Sequence, residues 1–296
     1  MDSRRAWLLN LDAEDELASR GGHTPSGAMA RRCAALRLRV EGLLGPDDVL
    51  LEDAMALPRG ELRRGVAWCP TPRALRALER AGAAAPAAPA LEILRRVNHR
   101  RFCAELGQTL PGAHYVETRA ELTEALGVAA PGSPWLLKRP FGFAGRGRRR
   151  VSAGRLDPAD LRWVEASLRT GEGLQVEPWA ARVGDFALHG FVDPGGEVTL
   201  GAPSEQRCDE SGAWAGSARC EAGALTADEQ GALASSAREA ADALHRAGYF
   251  GPFGIDAFRW RAEDGGLRWN PRCEINARYS MGWAVGMGSS RPDLTG

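Results

Sequence analysis

The chain has 296 residues, enough for about two domains and a sizeable core, and its 44% hydrophobic and 26% charged content is ordinary for a globular protein. Its 38 basic and 38 acidic residues cancel, which removes a general electrostatic grip on nucleic acid or an anionic membrane. No apolar run approaches the ~20 residues of a membrane span, and the amino terminus turns acidic after a few apolar residues, so it does not read as a signal peptide.

Residues 7–11 (WLLNL) form a short apolar run suited to a buried strand, followed by an acidic stretch and the turn-rich GGHTPSG, whose His23 and Thr24 read as loop residues. Helical spacing over 27–44 comes next, with strand candidates at 48–51 and 65–69 and a helix over 72–81 opened by Thr71-Pro72. Strands alternating with helices predict a small parallel α/β unit over residues 1–90. The low-complexity AGAAAPAAPA at 81–90 reads as a connector, because Pro86 and Pro89 stop any long helix.

Beyond it a single helix is predicted over 91–106, then a strand at 113–116 and a helix at 118–126. Residues 135–138 (WLLK) form a strand, and Gly142, Gly145 and Gly147 a flexible loop before a return strand from Val151. Lys138 at the end of an apolar strand needs an anionic partner, and a phosphate beside the glycine loop would supply one. The lysine precedes the glycines, so this is not a Walker loop. Arg149 and Arg150 read as solvating that loop, whereas Arg146 lies within it. A helix over 157–168 and strands at 174–179, 186–192 and 198–200 follow, and the polar stretch 203–224 reads as a loop. A helix spans 226–247, with Thr226 and Glu229 as a capping box and Gly248 as its stop.

Residues 253–260 and 267–276 alternate and are joined by Asp264-Gly265-Gly266, a hairpin signal. A turn centred on Gly265 sets Asp256 opposite Glu274, and Asn276 shares the face of Glu274. Like charges directly opposite on a sheet are destabilising, so the patch calls for a cation, and its oxygen donors suit magnesium. The six cysteines, at 33, 69, 103, 208, 220 and 273, form no CxxC pair and read as thiols in a reducing cytosol, with a Cys208–Cys220 bridge as the alternative. Neither His189 nor His245 belongs to a recognisable nucleophile–base set.

From about residue 98 to 281 the order of these parts resembles the ATP-grasp superfamily. The parts are a basic residue on a helix (Arg100 or Arg101), a strand lysine, a glycine hairpin, a hinge glutamate with a later acidic residue, and Asp…Glu-x-Asn. The resemblance implies an α/β (α+β) ATP-grasp fold: a small N-terminal parallel domain over 1–90, then 91–296 as two α+β lobes clasping ATP, with a mobile lid over about 113–178. It implies that Arg100, Lys138, Gly142, Gly145 and Gly147 meet the phosphates. Glu177, Trp179 and Ala180 would lie at the adenine hinge and Asp185 at the ribose. Asp256, Glu274 and Asn276 would hold Mg2+, for which Mn2+ could substitute. Arg278, with Lys138, would be catalytic, holding the carboxylate or acyl phosphate. The implied activity is an ATP-dependent carboxylate–amine ligase working through an acyl phosphate, in the cytoplasm. Its partners would be small-molecule or peptide acids and amines, with no nucleic acid or membrane partner, and a homodimer is compatible with it. The alternatives are an ATP-grasp kinase acting on a hydroxyl and a non-catalytic nucleotide-binding protein.

Overall fold

The structure, a computed structural model, describes residues 4–19, 23–52, 55–58, 63–107, 110–142, 145–208 and 214–294. Three sheets carry it. In the first, β1 (Arg5–Leu8) lies between β2 (Val49–Leu50) and β3 (Arg64–Ala67), both parallel to it. A parallel strand flanked on both sides is buried on both faces, which is why this run is almost wholly apolar. Trp7 satisfies its one polar atom by donating Nε1–H to Asp48 at 2.9 Å.

The acidic stretch after β1 forms helix α1 (Ala13–Ala18), followed by α2 (Gly27–Arg37) and α3 (Pro72–Arg80). Helical order ends at Arg37, short of the predicted 44, and a single 3-10 turn follows at Glu41–Leu43. Thr71 caps α3 and also donates to Glu16 at 2.7 Å, tying the two helices together.

The helix predicted over 91–106 is broken. Helix α4 (Leu91–Asn98) ends at His99, whose ψ of 131° is extended, and α5 (Arg100–Glu105) starts afresh. The break frees the amide of Arg100 to donate to Pro140 O at 3.1 Å. A tertiary hydrogen bond, invisible to hydrophobic periodicity, therefore decides where the helix stops.

The second sheet has the order β4–β7–β5–β6, all antiparallel: β4 (His114–Val116), β5 (Pro134–Lys138), β6 (Arg148–Ser152) and β7 (Leu174–Pro178). The return strand starts at Arg148, three residues before the expected Val151, because Arg148 pairs with Lys138. Helices α6 (Arg119–Gly127) and α7 (Pro158–Leu168) cover this sheet, each opened by a capping box. Its core, which includes Leu122, Trp135, Leu137, Val164 and Val176, is separate from the main one.

The third sheet runs β11–β10–β8–β12–β13, with β9 (Val198–Leu200) on the far end of β8 (Ala181–Val192). The stretch 203–224, expected to be a loop, contains the hairpin β10 (Ser204–Cys208) and β11 (Trp214–Arg219). Residues 209–213 lie outside the described residues. These outer strands are polar on both faces, so the alternation that marks a strand is missing from their sequence. Helix α8 (Ala227–Arg246) buries Leu233, Ala237, Ala240, Ala241 and Leu244 at helical spacing. The main core joins these residues to Trp7, Leu9 and Trp68 from the amino-terminal stretch and to Leu188, Phe253 and Ile255 from the third sheet.

The closing hairpin pairs β12 (Gly251–Arg261) with β13 (Leu267–Asn276) and does set Asp256 opposite Glu274, but not by the expected turn. Near the turn Arg261 pairs with Leu267 and Phe258 with Asn270, so the turn centres on Asp264 instead of Gly265. Asp256 meets Glu274 because β13 bulges by two residues between Asn270 and Glu274. Pro271 supplies no amide to the ladder there, and Asn270 Oδ1 accepts the amide of Arg272 at 3.1 Å. Helix α9 (Trp283–Met287) follows, starting two residues after Met281.

Candidate functional site

One cleft of about 200 Å³ draws on the second and third sheets and reaches Trp68, just past the end of β3. Lys138, Gly142, Gly145, Arg146 and Arg148 line it from the second sheet and its loop, and Asp185, Gln206, Asp256, Glu274 and Asn276 from the third. Arg100 enters from α5, and Arg278 leads to the far end. Phe143 and Ala144 of the glycine loop lie outside the described residues.

Asp256 and Glu274 come side by side by register, and each gains a neutralising or donating neighbour. Glu274 pairs with Arg100 Nη1 at 2.9 Å. Asp256 accepts from Gln206 at 2.7 Å and from Asn276 Nδ2 at 3.1 Å. Burial, reinforced by the adjacent Glu274 charge, pushes the Asp256 carboxyl up to about 6. Burial would raise Glu274 as well, but the Arg100 guanidinium outweighs it and holds Glu274 below its ordinary value. Two carboxylates and an amide oxygen, brought together by the register of the hairpin, form a hard donor set. The set therefore fits a divalent cation of the magnesium type. Among the described residues no cluster of three His, Cys, Asp or Glu side chains could hold a metal, so a cation at this pair would need the amide oxygen of Asn276 as well.

Across the cleft the cations face this pair. Lys138, 6% exposed, forms an ion pair with Glu177 at 2.5 Å, and Gln175 donates to the other oxygen of Glu177 at 3.0 Å. Arg100 Nε donates to Arg139 O at 3.0 Å, which fixes its guanidinium beside the glycine loop. A Cβ on Gly142 would lie 2.7 Å from Arg146 O and 3.2 Å from Arg100 Nη2, so the loop and the arginine meet only because residue 142 has no side chain. Arg101, the neighbouring candidate, turns elsewhere: it pairs with Glu117 and stacks 4.7 Å over Tyr115.

The hinge residues sit differently from the phosphate candidates. Among the described residues lining the cleft there is no Glu177, Trp179 or Ala180. Glu177 reaches it through Lys138, Trp179 is 44% exposed beneath Arg150 at 4.3 Å, and Ala180 packs near Phe258 and Trp260. Asp185 does line the cleft and pairs with Arg182 at 2.9 Å. Burial lowers and nearby anions raise the Arg182 guanidinium, with a net rise.

Arg278 is buried and almost fully committed. Its Nε and Nη2 meet Glu14, Nη2 also reaches Asn276 Oδ1 at 3.1 Å, and Nη1 donates to Tyr279 O at 2.8 Å. Four of its five N–H groups are thereby occupied, which leaves one on Nη1. Burial raises the Glu14 carboxyl despite the Arg278 charge beside it.

Glu14, Gln206 and Arg182 belong to this site and were not singled out from the sequence. Glu14 carried one signal: it follows the carboxyl end of the first parallel strand, where α/β sheets place polar site residues. Gln206 was hidden in a stretch without alternation. His23 pairs with Asp12 at 2.8 Å, and Arg149 pairs with Asp160. All six cysteines are unbridged, Cys208 and Cys220 included.

No family model matches the chain, and no curated protein matches it in sequence. Solved structures do. The D-alanyl-alanine synthetase A of Vibrio cholerae aligns over 100% of this chain and 93% of its own, at TM-score 0.52 and 12% identity. The N5-carboxyaminoimidazole ribonucleotide synthetase of Thermus thermophilus aligns over 93% and 71%, at 0.51 and 21%. A biotin carboxylase–β,γ-ATP complex of Campylobacter jejuni aligns over 96% and 67%, at 0.54 and 12%. The chain has the ATP-grasp fold shared by these structures.

Proposed function

We propose that this ATP-grasp chain is an ATP-dependent ligase joining a carboxylic acid to an amine. The observation that carries the reading is the like-charged pair Asp256–Glu274, held facing Lys138 and Arg100 across one cleft with Arg278 beyond it. A degenerate, non-catalytic site would have no reason to retain a pair whose proximity is unfavourable without a cation.

In this reading Lys138, Arg100 and the glycine loop hold the ATP phosphates, and Asp256, Glu274 and Asn276 would hold Mg2+. Bound there, the ion supplies neutralisation of charge on the phosphate oxygens. A carboxylate oxygen of the acid attacks the γ-phosphorus, and the bond to the β–γ bridging oxygen breaks with its electron pair leaving on ADP. The amine nitrogen then attacks the acyl carbon and loses a proton, and phosphate departs. Lys138 stabilises the charge moving toward ADP, while Arg278, its orientation fixed by Glu14 and Asn276, donates its remaining N–H to the acid. No protein nucleophile is required.

The same reading takes the second sheet as a lid over the cleft, residues 1–90 as the domain that shapes the acid end, and the cytoplasm as the compartment. No helix of the described residues is long and apolar enough to cross a membrane. A product assay tests the function. ADP formed together with an amine-dependent amide supports the ligase. ADP formed with a phosphorylated alcohol and no amine requirement overturns it in favour of a kinase.

A further inference from the structure

The cleft changes character past Asn276. Arg278, Ser280 and Gly282 follow at two-residue intervals along its wall, and Leu36 from α2, Trp68, Trp214 from β11 and Met281 surround them. Trp68 is fixed here because its carbonyl accepts the amide of Tyr279 at 3.1 Å, and its ring lies 5.7 Å from the Arg278 guanidinium carbon. Trp214 is fixed by donating Nε1–H to Ser217 at 2.9 Å, and a Cβ on Gly282 would lie 2.8 Å from that same Ser217 hydroxyl.

Two polar atoms stand apart from this accounting. Trp68 Nε1 and Ser280 Oγ are buried and have no hydrogen-bond partner among the described residues. A buried donor without an acceptor is unfavourable, and such groups are few in native proteins. Both belong to residues that line the cleft. The charge balance of this end is also distinctive: Arg278 is the one charged residue among those named here, and Glu14 stands against it with Arg278 retaining one N–H. An end lined by two indoles, a leucine and a methionine, with one offset cation and two unmet polar groups, is poorly matched to a polyanion. It suits one carboxylate on an apolar body.

We infer that this end of the cleft is the subsite for the acid substrate, and that it selects a monocarboxylic acid bearing an aryl or branched alkyl group. The carboxylate lies at Arg278, the apolar group against Leu36, Trp214 and Met281, and Trp68 Nε1 and Ser280 Oγ donate to acceptor atoms of the acid. The inference rests on the ligase reading above and adds the substrate class.

The test uses the full chain with Mg·ATP and hydroxylamine, whose nitrogen attacks an acyl phosphate to give a hydroxamate and phosphate, so the natural amine need not be known. Phenylacetate and 4-methylpentanoate are compared with succinate and glycolate, each assayed for ADP and hydroxamate. The expected result is that the two apolar acids stimulate both products and the polar acids do not. Trp214→Ala should raise KM for the apolar acids at least tenfold, Trp214→Phe should restore most of it, and calorimetric affinity for a non-hydrolysable Mg·ATP analogue should stay within twofold in both. Hydroxamate from the polar acids alone overturns the substrate class and leaves the ligase reading standing. Stimulation by neither set in a protein that binds the analogue, or an unchanged KM in Trp214→Ala, also overturns the class. ADP with a phosphorylated hydroxyl and no hydroxamate overturns the ligase reading itself.

Discussion

The ion pair between Lys138 and Glu177 makes the role of Lys138 measurable apart from turnover. Both side chains are under a tenth exposed and 2.5 Å apart. Removing one member of a buried pair leaves the other charge uncompensated, at about 3–5 kcal/mol, whereas removing both charges together is often close to neutral. Lys138→Met, which keeps the aliphatic stem, should therefore destabilise the protein by about 3–5 kcal/mol. Glu177→Gln should destabilise it by less, because Lys138 still sees the Glu274 charge and lines the cleft. The double variant Lys138→Met/Glu177→Gln should lie within about 2 kcal/mol of the parent, giving a coupling energy of at least about 2 kcal/mol. The assay is urea unfolding followed by tryptophan fluorescence, with unchanged m-values required of each variant. A Mg·ATP analogue should raise the midpoint of the parent but not of either variant lacking Lys138, since only a ligand of the folded state stabilises it. Strict additivity of the two substitutions, or an undiminished midpoint shift in the double variant, would refute the assignment of Lys138 to both the pair and the phosphates.

Three further outcomes are expected. Glu274→Gln should remove Mn2+ binding in a metal titration and lower ADP formation at least 100-fold. Its loss of stability should stay near 1–2 kcal/mol, because Arg100 keeps its bond to Arg139 O and Glu274 is partly exposed; wild-type metal affinity in this variant would remove the carboxylate-pair argument. Gly142→Ala should weaken nucleotide binding about tenfold through the Arg146 O contact while changing stability by under ~1 kcal/mol, as compared by calorimetry and thermal unfolding; full affinity would show that the loop can yield. Burial holds the His189 imidazole down at about 4, against 6.5 for an ordinary histidine. Between those values the unfolded chain binds a proton that the folded one does not, so stability contributed by neutral His189 is present above pH 6.5 and declines as pH falls toward 4, by about 3 kcal/mol in all. Asp256, raised in the folded state, acts in the opposite sense, so the readout is the difference in slope between the parent and His189→Gln; identical slopes would contradict it.

The strands and capped helices were legible because their signals are local. Residues 134–138 and 267–276 carry their own apolar or alternating pattern, and Thr226 with Glu229 announces a helix within four residues. What was not legible depends on contacts between distant residues. The break at His99 follows from the Arg100–Pro140 hydrogen bond, and the hairpin of β10 and β11 owes its strands to backbone pairing of β10 with β8 and of β11 with β10, in the absence of alternating apolar side chains. In the cleft, Lys138, Arg100, the glycines, Asp185 and the Asp256–Glu274–Asn276 set were each marked by type and position. Glu14 was not, because nothing in residues 12–16 distinguishes the one carboxylate that crosses to Arg278 from those that hold Arg73. The order of parts pointed to the ATP-grasp fold, while the adenine hinge at 177–180, a matter of backbone groups, rests on chain order alone.

The two-residue bulge in β13 carries a consequence for how the site came to bear unbalanced charge. Continued straight from its turn, the hairpin would set Asp256 opposite Arg272, a matched pair with nothing left to attract an ion. The bulge withdraws Arg272, which bonds instead to Glu239 at 2.8 Å and Leu106 O at 2.8 Å, and delivers Glu274 in its place. Drawing the bulge out straight with Arg272 retained would thus convert a cation-seeking sheet into a self-neutralised one without altering any of the three proposed ligands. The capacity to bind metal is written into the path of the strand as much as into its acids.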